Sequence, residues 1–312
     1  MLYYCMLYLS CNIKHLCEGS ISRKDTGLGN TLFQLATQFS FAQRHGYKLD
    51  LSELQIYVGK LKELGYDHDT SIFRELLRIF GNENIPVDIN YNFVSEERNK
   101  GELYDATFEN TIKENNTHNI KLNGYVQSFK YFNEYRPELY YLFGPSDFHK
   151  DLFKIQYPEL FDENVICVSV HIRMNYANAV NYNSSFFIHC MDYFKDKYPD
   201  KEVHFFVFSN NHNDIQGWFS GDKYNITSIE GNTDYSDLWM MMLCNHNIIS
   251  HSTFAWWGAY LNTHPDKEVF YPYDSLRVWW GQLLPEVQMP EREYEHFLPS
   301  WKAIKIDTMY RY

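Results

Sequence analysis

The sequence predicts an α/β protein built from parallel β-α units in two halves. Short apolar runs alternate with segments whose apolar residues recur at helical spacing, most cleanly after residue 165. Strands separated by helices of that length need crossover connections, which set the strands parallel and place helices on both faces. The stretch "FGPSD" (143–147) puts Gly and Pro between two patterned halves, and 312 residues suffice for two domains of ordinary size. The expected organisation is a first domain over 1–145, a second over 146–290, and a tail over 291–312 that returns to the first.

In the first half, Met1 to Ile13 reads as a buried strand. A polar stretch and "GLGN" (27–30) follow, then a helix from Thr31 to His45 with Leu32, Phe33, Leu35, Ala36, Phe39 and Ala42 on its apolar face. Gly46 ends that helix, and "YKLDL" begins a second strand. Residues 52–118 are less regular, with one helix expected at Ser71–Phe80. "NIKLNGYVQ" reads as a strand, and "YFNEYRPELYYLF" as a helix or two interrupted by Pro137. In the second half, "VICVSVHIR" (165–173), "EVHFFVFSN", "YNITSIEG", "HNIIS" and "EVFYP" read as strands. Between them "SSFFIHCMDYFKDKY", "HNDIQGWF", "DYSDLWMMMLCN" and "TFAWWGAYL" read as helices.

Composition narrows the function classes. The net charge of −12 lacks the basic footprint that general nucleic-acid binding needs. An anionic ligand then requires a local positive site, which gives weight to any arginine in an apolar context. Aromatics make up 18% of the chain; the core is their default place, and a glycan-binding rim is the alternative. The six cysteines form no C-x-x-C pair and read as reduced and buried, without a zinc site. The apolar N-terminus is too short for a span, which needs roughly 20 residues. The expectation is a soluble, cytoplasmic protein.

In open parallel sheets, ligands sit at the carboxyl ends of the strands. His171 with Arg173, Ser209 with Asn210, and Ser252 with Thr253 all fall at such ends. Ser252 and Thr253 open a helix, where free N–H groups and the positive end of the dipole favour an anion; an ordinary N-cap is the plainer reading. Arg173 ends a strand that otherwise reads as buried on both faces, a costly place for a charge without a partner. A guanidinium facing that helix start makes a diphosphate clamp; the alternative is a structural salt bridge. His171 suits a nucleotide contact or core packing. Asp237 suits a guanine edge, or simply the start of its helix.

Two other patterns carry less. "TGLGNTLFQLA" (26–36), with Asp50 about 20 residues on, resembles a dinucleotide fingerprint, but Leu32 occupies its third small position. The alternative is a tight turn opening a helix, with Asn30 as its cap or as an active-site amide. Asp67-His68-Asp69 has the D-x-D spacing of a divalent-metal pair but reads better as a solvated loop before a helix.

Together three stretches resemble the α-1,2-fucosyltransferase family of glycosyltransferases. "GLGNTLFQLA" (27–36) is similar to its G-L-G-N-Q-x-F-Q-Y-A opening, and "GYVQSFKYF" (124–132) to its G-Y-x-Q-S-x-K-Y-F segment. "DLWMMMLCNHNIISHSTFAWWGAYLN" (237–262) resembles its most extended motif nearly throughout. The resemblance implies a GT-B arrangement, two Rossmann-type parallel-sheet domains facing a cleft. It further implies GDP-fucose as donor, inverting transfer to a galactose-type hydroxyl of an oligosaccharide, and neither metal nor cofactor. By resemblance, Arg173 holds the β-phosphate and His171 lies beside the nucleotide. Ser252, Thr253 and the Phe254 backbone wrap the pyrophosphate, and Asp237 favours guanine. Asn30 approaches the transferred sugar, and Gln127 lies on the acceptor side.

The chain departs from the family at two places. Its H-x-R-R-G-D-Y is here "HIRMNY" (171–176), and its F-S-D-D is "FSNN" (208–211). A missing second arginine implies a weakened contact to the leaving group, worth about 1.5–3 kcal/mol. Two rivals follow: a non-catalytic sugar-nucleotide or glycan binder, and a transferase for a different nucleotide sugar.

Overall fold

The computed structural model describes residues 8–11, 27–63, 72–81, 89–95, 104–115, 117–174, 181–219, 222–273, 278–279, 282–283, 296–305 and 310–311. The chain divides into two compact units: Met1–Phe143 with Glu295–Phe297, and Gly144–Tyr294 with Leu298–Tyr312. Of the tail, the short 295–297 stretch thus clusters with the first unit. Each unit is an α/β layer structure around a parallel sheet.

The first unit orders its strands β2 (Lys48–Leu49), β1 (Tyr8–Cys11), β4 (Asn119–Asn123) and β3 (Tyr91–Ser95), all parallel. The chain leaves β1 for β2 on one side, then crosses to β3 at the far edge and fills in β4 between β3 and β1. The strand order therefore reverses at β1, which puts the topological switch point at the carboxyl ends of β1 and β4. Helix α1 (Leu28–His45) starts three residues before the predicted Thr31. Gly27 makes this possible: at φ 46°, ψ 43° it takes the left-handed conformation that other residues avoid, and its carbonyl accepts from Thr31 N at 3.1 Å. Two glutamines of α1 tie the unit together. Gln38 Nε2 donates to the Leu9 and Asp50 carbonyls at 2.9 and 2.8 Å, and Gln34 Nε2 to the Gly124 carbonyl at 2.9 Å.

The irregular stretch hides three elements. Helix α2 (Ser52–Glu63) buries Leu54, Tyr57, Val58 and Leu61 although Gly59 lowers its propensity. Strand β3 and helix α4 (Ala106–Glu114) complete the layer beside α3 (Arg74–Phe80). Asp50 is structural here: its carboxylate accepts from Ser52 N at 2.9 Å and from the Tyr91 hydroxyl at 2.6 Å. Pro137 does not interrupt a helix but sits second in α5 (Arg136–Phe143), where no N–H is required of it.

The second unit begins with α6 (Asp147–Gln156), an amphipathic helix the sequence reading passes over, since only Phe153 of its apolar residues is buried. Its sheet contains β5 (Val165–Ile172), β6 (Glu202–Ser209), β7 (Asn225–Ile229), β8 (His246–Ile249), β9 (Val269–Pro272) and β10 (Lys302–Ile304). The spatial order is β10-β9-β8-β5-β6-β7, parallel throughout. Strand β9 was the expected last strand; β10, from the tail, adds an edge beyond it. Every residue of β5 is buried, as a central strand covered on both faces requires. From β5 the chain builds outward through β6 and β7, then crosses to β8 on the other side. The switch point therefore lies between β5 and β8.

Helix α7 (Ser184–Lys197) covers one face of this sheet with Phe186, Phe187, Met191 and Phe194. Helices α8 (Asp234–Leu243) and α9 (Thr253–Leu261) flank β8 in the chain and pack closely on each other. Trp256, Trp257 and Tyr260 are buried, with Trp256 stacked on Tyr260 at 4.6 Å, so these three aromatics of "TFAWWGAYL" are core, while Phe254 is half-buried. A buried amide network holds the three elements in register. Asn247 Nδ2 donates to Ser169 Oγ (2.7 Å) and the Met241 carbonyl (2.8 Å), and Asn262 Nδ2 donates to Asn247 Oδ1 (2.9 Å). Lys267 Nζ closes α9 by donating to the carbonyls of Ala259 and Asn262, both at 2.6 Å. At Gly258 an added Cβ would meet Met241 Cβ at 2.8 Å, closer than carbon atoms pack. Gly258→Ala is expected to force α8 and α9 apart and cost about 1–3 kcal/mol in urea unfolding, the usual penalty for overpacking.

Candidate functional site

The switch point of the second unit gathers most of the predicted site. His171 is the penultimate residue of β5, Arg173 follows its end, and β8 runs into Ser250, His251 and the Ser252 cap of α9. Ser250, which sequence reasoning missed, joins the two strands. Its Oγ accepts from Arg173 N at 2.9 Å and contacts His171 Nδ1 at 3.1 Å, while its own N–H donates to the His171 carbonyl at 3.1 Å. The signal was a hydroxyl at the end of an apolar strand beside two other polar strand ends.

Arg173 is half-buried, and among the described residues its guanidinium forms no ion pair with a carboxylate. The structural salt bridge considered from sequence is therefore absent among those residues. His171 is buried with its ring 5.7 Å from that of Phe254. Burial, and secondarily the Arg173 charge, hold its pKa down at about 3, so the imidazole is neutral at any ordinary pH. Ser252 is an N-cap in the strict sense: its Oγ accepts from Ala255 N at 3.5 Å and its carbonyl from Trp256 N at 2.9 Å. The Thr253 and Phe254 N–H groups, in the first turn, have no intrahelical acceptor. A cation, a neutral ring and a helix start at one crevice can hold an anion.

Asp237 lies in the first turn of α8. Its Oδ1 is buried without a hydrogen-bond partner. Burial pushes the carboxyl up to about 7, helped by the neighbouring Asp234 charge and opposed by a hydrogen bond from Asn232. A half-ionised acid with an unused acceptor suits a ligand that offers N–H donors.

Met174, where the family pattern has its second arginine, puts its side chain into the core cluster with Ile172, Ile215 and Trp218. Asn175 lies outside the described residues, as does the Asp67-His68-Asp69 triplet.

The first unit brings together the two remaining candidates. Asn30 lies in the first turn of α1 rather than capping it, and Gln127 lies beyond β4, both at the β1/β4 switch point. Gln127 Nε2 donates to Asn30 Oδ1 at 2.7 Å, which leaves the Asn30 amide N–H groups to point elsewhere. Val126 precedes them at φ 46°, a left-handed conformation that costs a β-branched residue about 1–3 kcal/mol. The Gln34 bond to Gly124 and the His296 contact to the Gln127 carbonyl (2.7 Å) flank the strained residue.

Two Rossmann-like parallel sheets, each with polar groups at its switch point, define an α/β protein of the class whose ligands bind at such points. A family model, "Glycosyl transferase family 11", matches residues 89–271, more than half of the chain, and the chain belongs to that family. It is 28% identical over 270 residues to an α-1,2-colitosyltransferase of Escherichia coli, covering 78% of this chain and 88% of the relative. It is 26% identical over 297 residues to the Escherichia coli O-antigen biosynthesis glycosyltransferase WbnK, covering 82% and 93%. Among solved structures, Arabidopsis thaliana FUT1 in complex with GDP aligns at a TM-score of 0.47 and 13% identity, over 91% of this chain and 72% of that one. The NodZ α-1,6-fucosyltransferase soaked with GDP-fucose aligns at 0.43 and 15%, over 82% and 92%. No helix among the described residues is long and apolar enough to cross a membrane.

Ser250→Ala is expected to destabilise the second unit by about 1–3 kcal/mol, because it strips a partner from both Arg173 N and the buried His171 ring. Urea unfolding of the variant against the parent measures it.

Proposed function

We propose that this family 11 glycosyltransferase moves L-fucose from GDP-fucose to a galactose-type hydroxyl of a glycan, inverting the anomeric carbon and using no metal ion. The observation that carries the reading is Arg173, a half-buried arginine without a carboxylate partner among the described residues, whose backbone N–H donates to Ser250, two residues before the Ser252 cap of α9. In this reading the acceptor hydroxyl attacks from the face opposite GDP. As the bond to the diphosphate breaks, negative charge gathers on the β-phosphate. In this reading Arg173 and the N–H groups of Thr253 and Phe254 stabilise it, and their help grows as the charge develops. Neutral His171 contributes a polar contact without a second full charge. Asp237 accepts from the N–H groups of guanine, which selects GDP over pyrimidine nucleotides. Asn30, held by Gln127, belongs to the sugar and acceptor side.

A second donor is favoured by one observation: a relative at 28% identity is named for colitose transfer. The decisive experiment is a donor panel of GDP-fucose, GDP-colitose, GDP-mannose and UDP-galactose with lactose, read as nucleotide release. Release from a GDP-linked 6-deoxy sugar alone supports the reading. Binding of GDP without turnover over many hours would leave a non-catalytic binder instead, and silence with every donor together with no GDP binding would remove the proposal.

Arg173→Ala is expected to lower kcat/KM roughly ten- to a hundredfold, the loss of one charge-assisted contact to the leaving group. GDP affinity carries a second signature. Asp237 must be ionised to accept from guanine, and its pKa is raised to about 7. Affinity therefore falls as pH drops through that value and levels off above it. Titration calorimetry from pH 5.5 to 8.5 should show this slope in the parent minus Asp237→Asn difference, with the variant weaker by about tenfold at pH 8.

A further inference from the structure

Strand β5 ends at Ile172, yet four of the backbone groups from there to Met174 are met by side chains. Ser209 Oγ donates to the Ile172 carbonyl at 3.0 Å. Ser250 Oγ accepts from Arg173 N at 2.9 Å. Asn210 Oδ1 accepts from Met174 N at 2.7 Å, and Asn210 Nδ2 donates to the Met174 carbonyl at 3.1 Å. Asn210 thus does for Met174 what a neighbouring strand would do, taking one N–H and supplying another from one planar amide. Ser209 is itself fixed, since its Oγ also accepts from Asn211 N at 3.1 Å. On the opposite side the Met174 side chain is anchored in the core. Arg173 is therefore held from both flanks, by Ser250 on its own nitrogen and by Asn210 on the following residue.

We propose that Asn210 is a positioning residue whose amide, by gripping both backbone groups of Met174, holds Arg173 ready for the donor diphosphate. The inference rests on the function proposed above and deepens it. It requires an amide. A carboxylate at 210 accepts from Met174 N but has no proton for the Met174 carbonyl, and it sets a negative charge against that oxygen. The two departures at "HIRMNY" and "FSNN" then belong together. A methionine that packs inward anchors one side of the turn, and an asparagine that both donates and accepts holds the other.

The test compares the parent with Asn210→Asp and Asn210→Ala, using GDP as probe in titration calorimetry from pH 4 to 8.5. Thermal melts confirm that each variant is folded at each pH. Hydrogen exchange over 172–174 is followed without ligand. Asn210→Ala should bind GDP about tenfold more weakly than the parent at every pH and exchange faster over 172–174. Asn210→Asp should show the same loss at pH 8.5. Its affinity relative to the parent should recover toward pH 4, near the ordinary aspartate pKa of about 3.9, where a protonated acid again has a hydrogen to donate. A purely structural role would lower the melting temperature without moving that ratio. Should Asn210→Ala not fold, the pH-dependent ratio of the near-isosteric Asn210→Asp decides alone. A flat ratio within twofold in folded variants, or unchanged exchange, overturns the inference while leaving the transferase reading intact. A parent that does not bind GDP overturns both.

Discussion

The constraint on which the rest depends is the reversal of strand order in a parallel sheet. Parallel strands all deliver their following loops to one edge, and where the order reverses two neighbouring loops part. In the second unit that place is β5/β8, and Ser250 spans it. In the first it is β1/β4, where Gln127 meets Asn30. Both pairs exist because the chain crosses over its starting strand, so topology chooses which residues become neighbours across about 80 to 100 residues of sequence.

Electrostatics follows from the same geometry. A chain with net charge −12 can hold an anion only where cations and backbone dipoles are concentrated and carboxylates are kept away. The buried ring of His171 stays neutral beside Arg173, so the histidine adds no second positive charge next to the arginine. Asp237 shows the opposite accommodation. Its burial raises the carboxyl into the neutral range, which lowers the cost of an acceptor left without a partner in the free protein.

Rigidity at these crevices is drawn from buried polar side chains rather than from extra strand pairing. The Asn247–Asn262–Ser169 network locks β8 to its flanking helices, and Gln34 and Gln38 do the equivalent for the first sheet. Each of these amides satisfies backbone or side-chain groups that would otherwise be buried unpaired, which a single rigid arrangement does best. The left-handed Val126 is tolerated in the first unit for the same reason: its neighbours on both sides are pinned.

Much of this was legible in sequence. The β5 run, the α9 cap at Ser252 and the core face of α8 follow from local periodicity and hydroxyl placement, because those signals repeat within a few residues. Asn30, His171, Arg173, Asp237, Ser252, Thr253 and Phe254 could be chosen as strand-end or helix-start residues before any contact was known. Helix α2 was obscured by Gly59, α6 by an apolar face that is not buried, and β10 by its lack of any local partner. Only the tertiary structure decided which way each side chain turns. It sent Met174 into the core, gave Ser250 two partners from another strand, and set the Asn210 amide on a backbone 36 residues away. Such choices depend on long-range packing and on the need to pair every buried polar group, and neither is written in the spacing of residues along one segment.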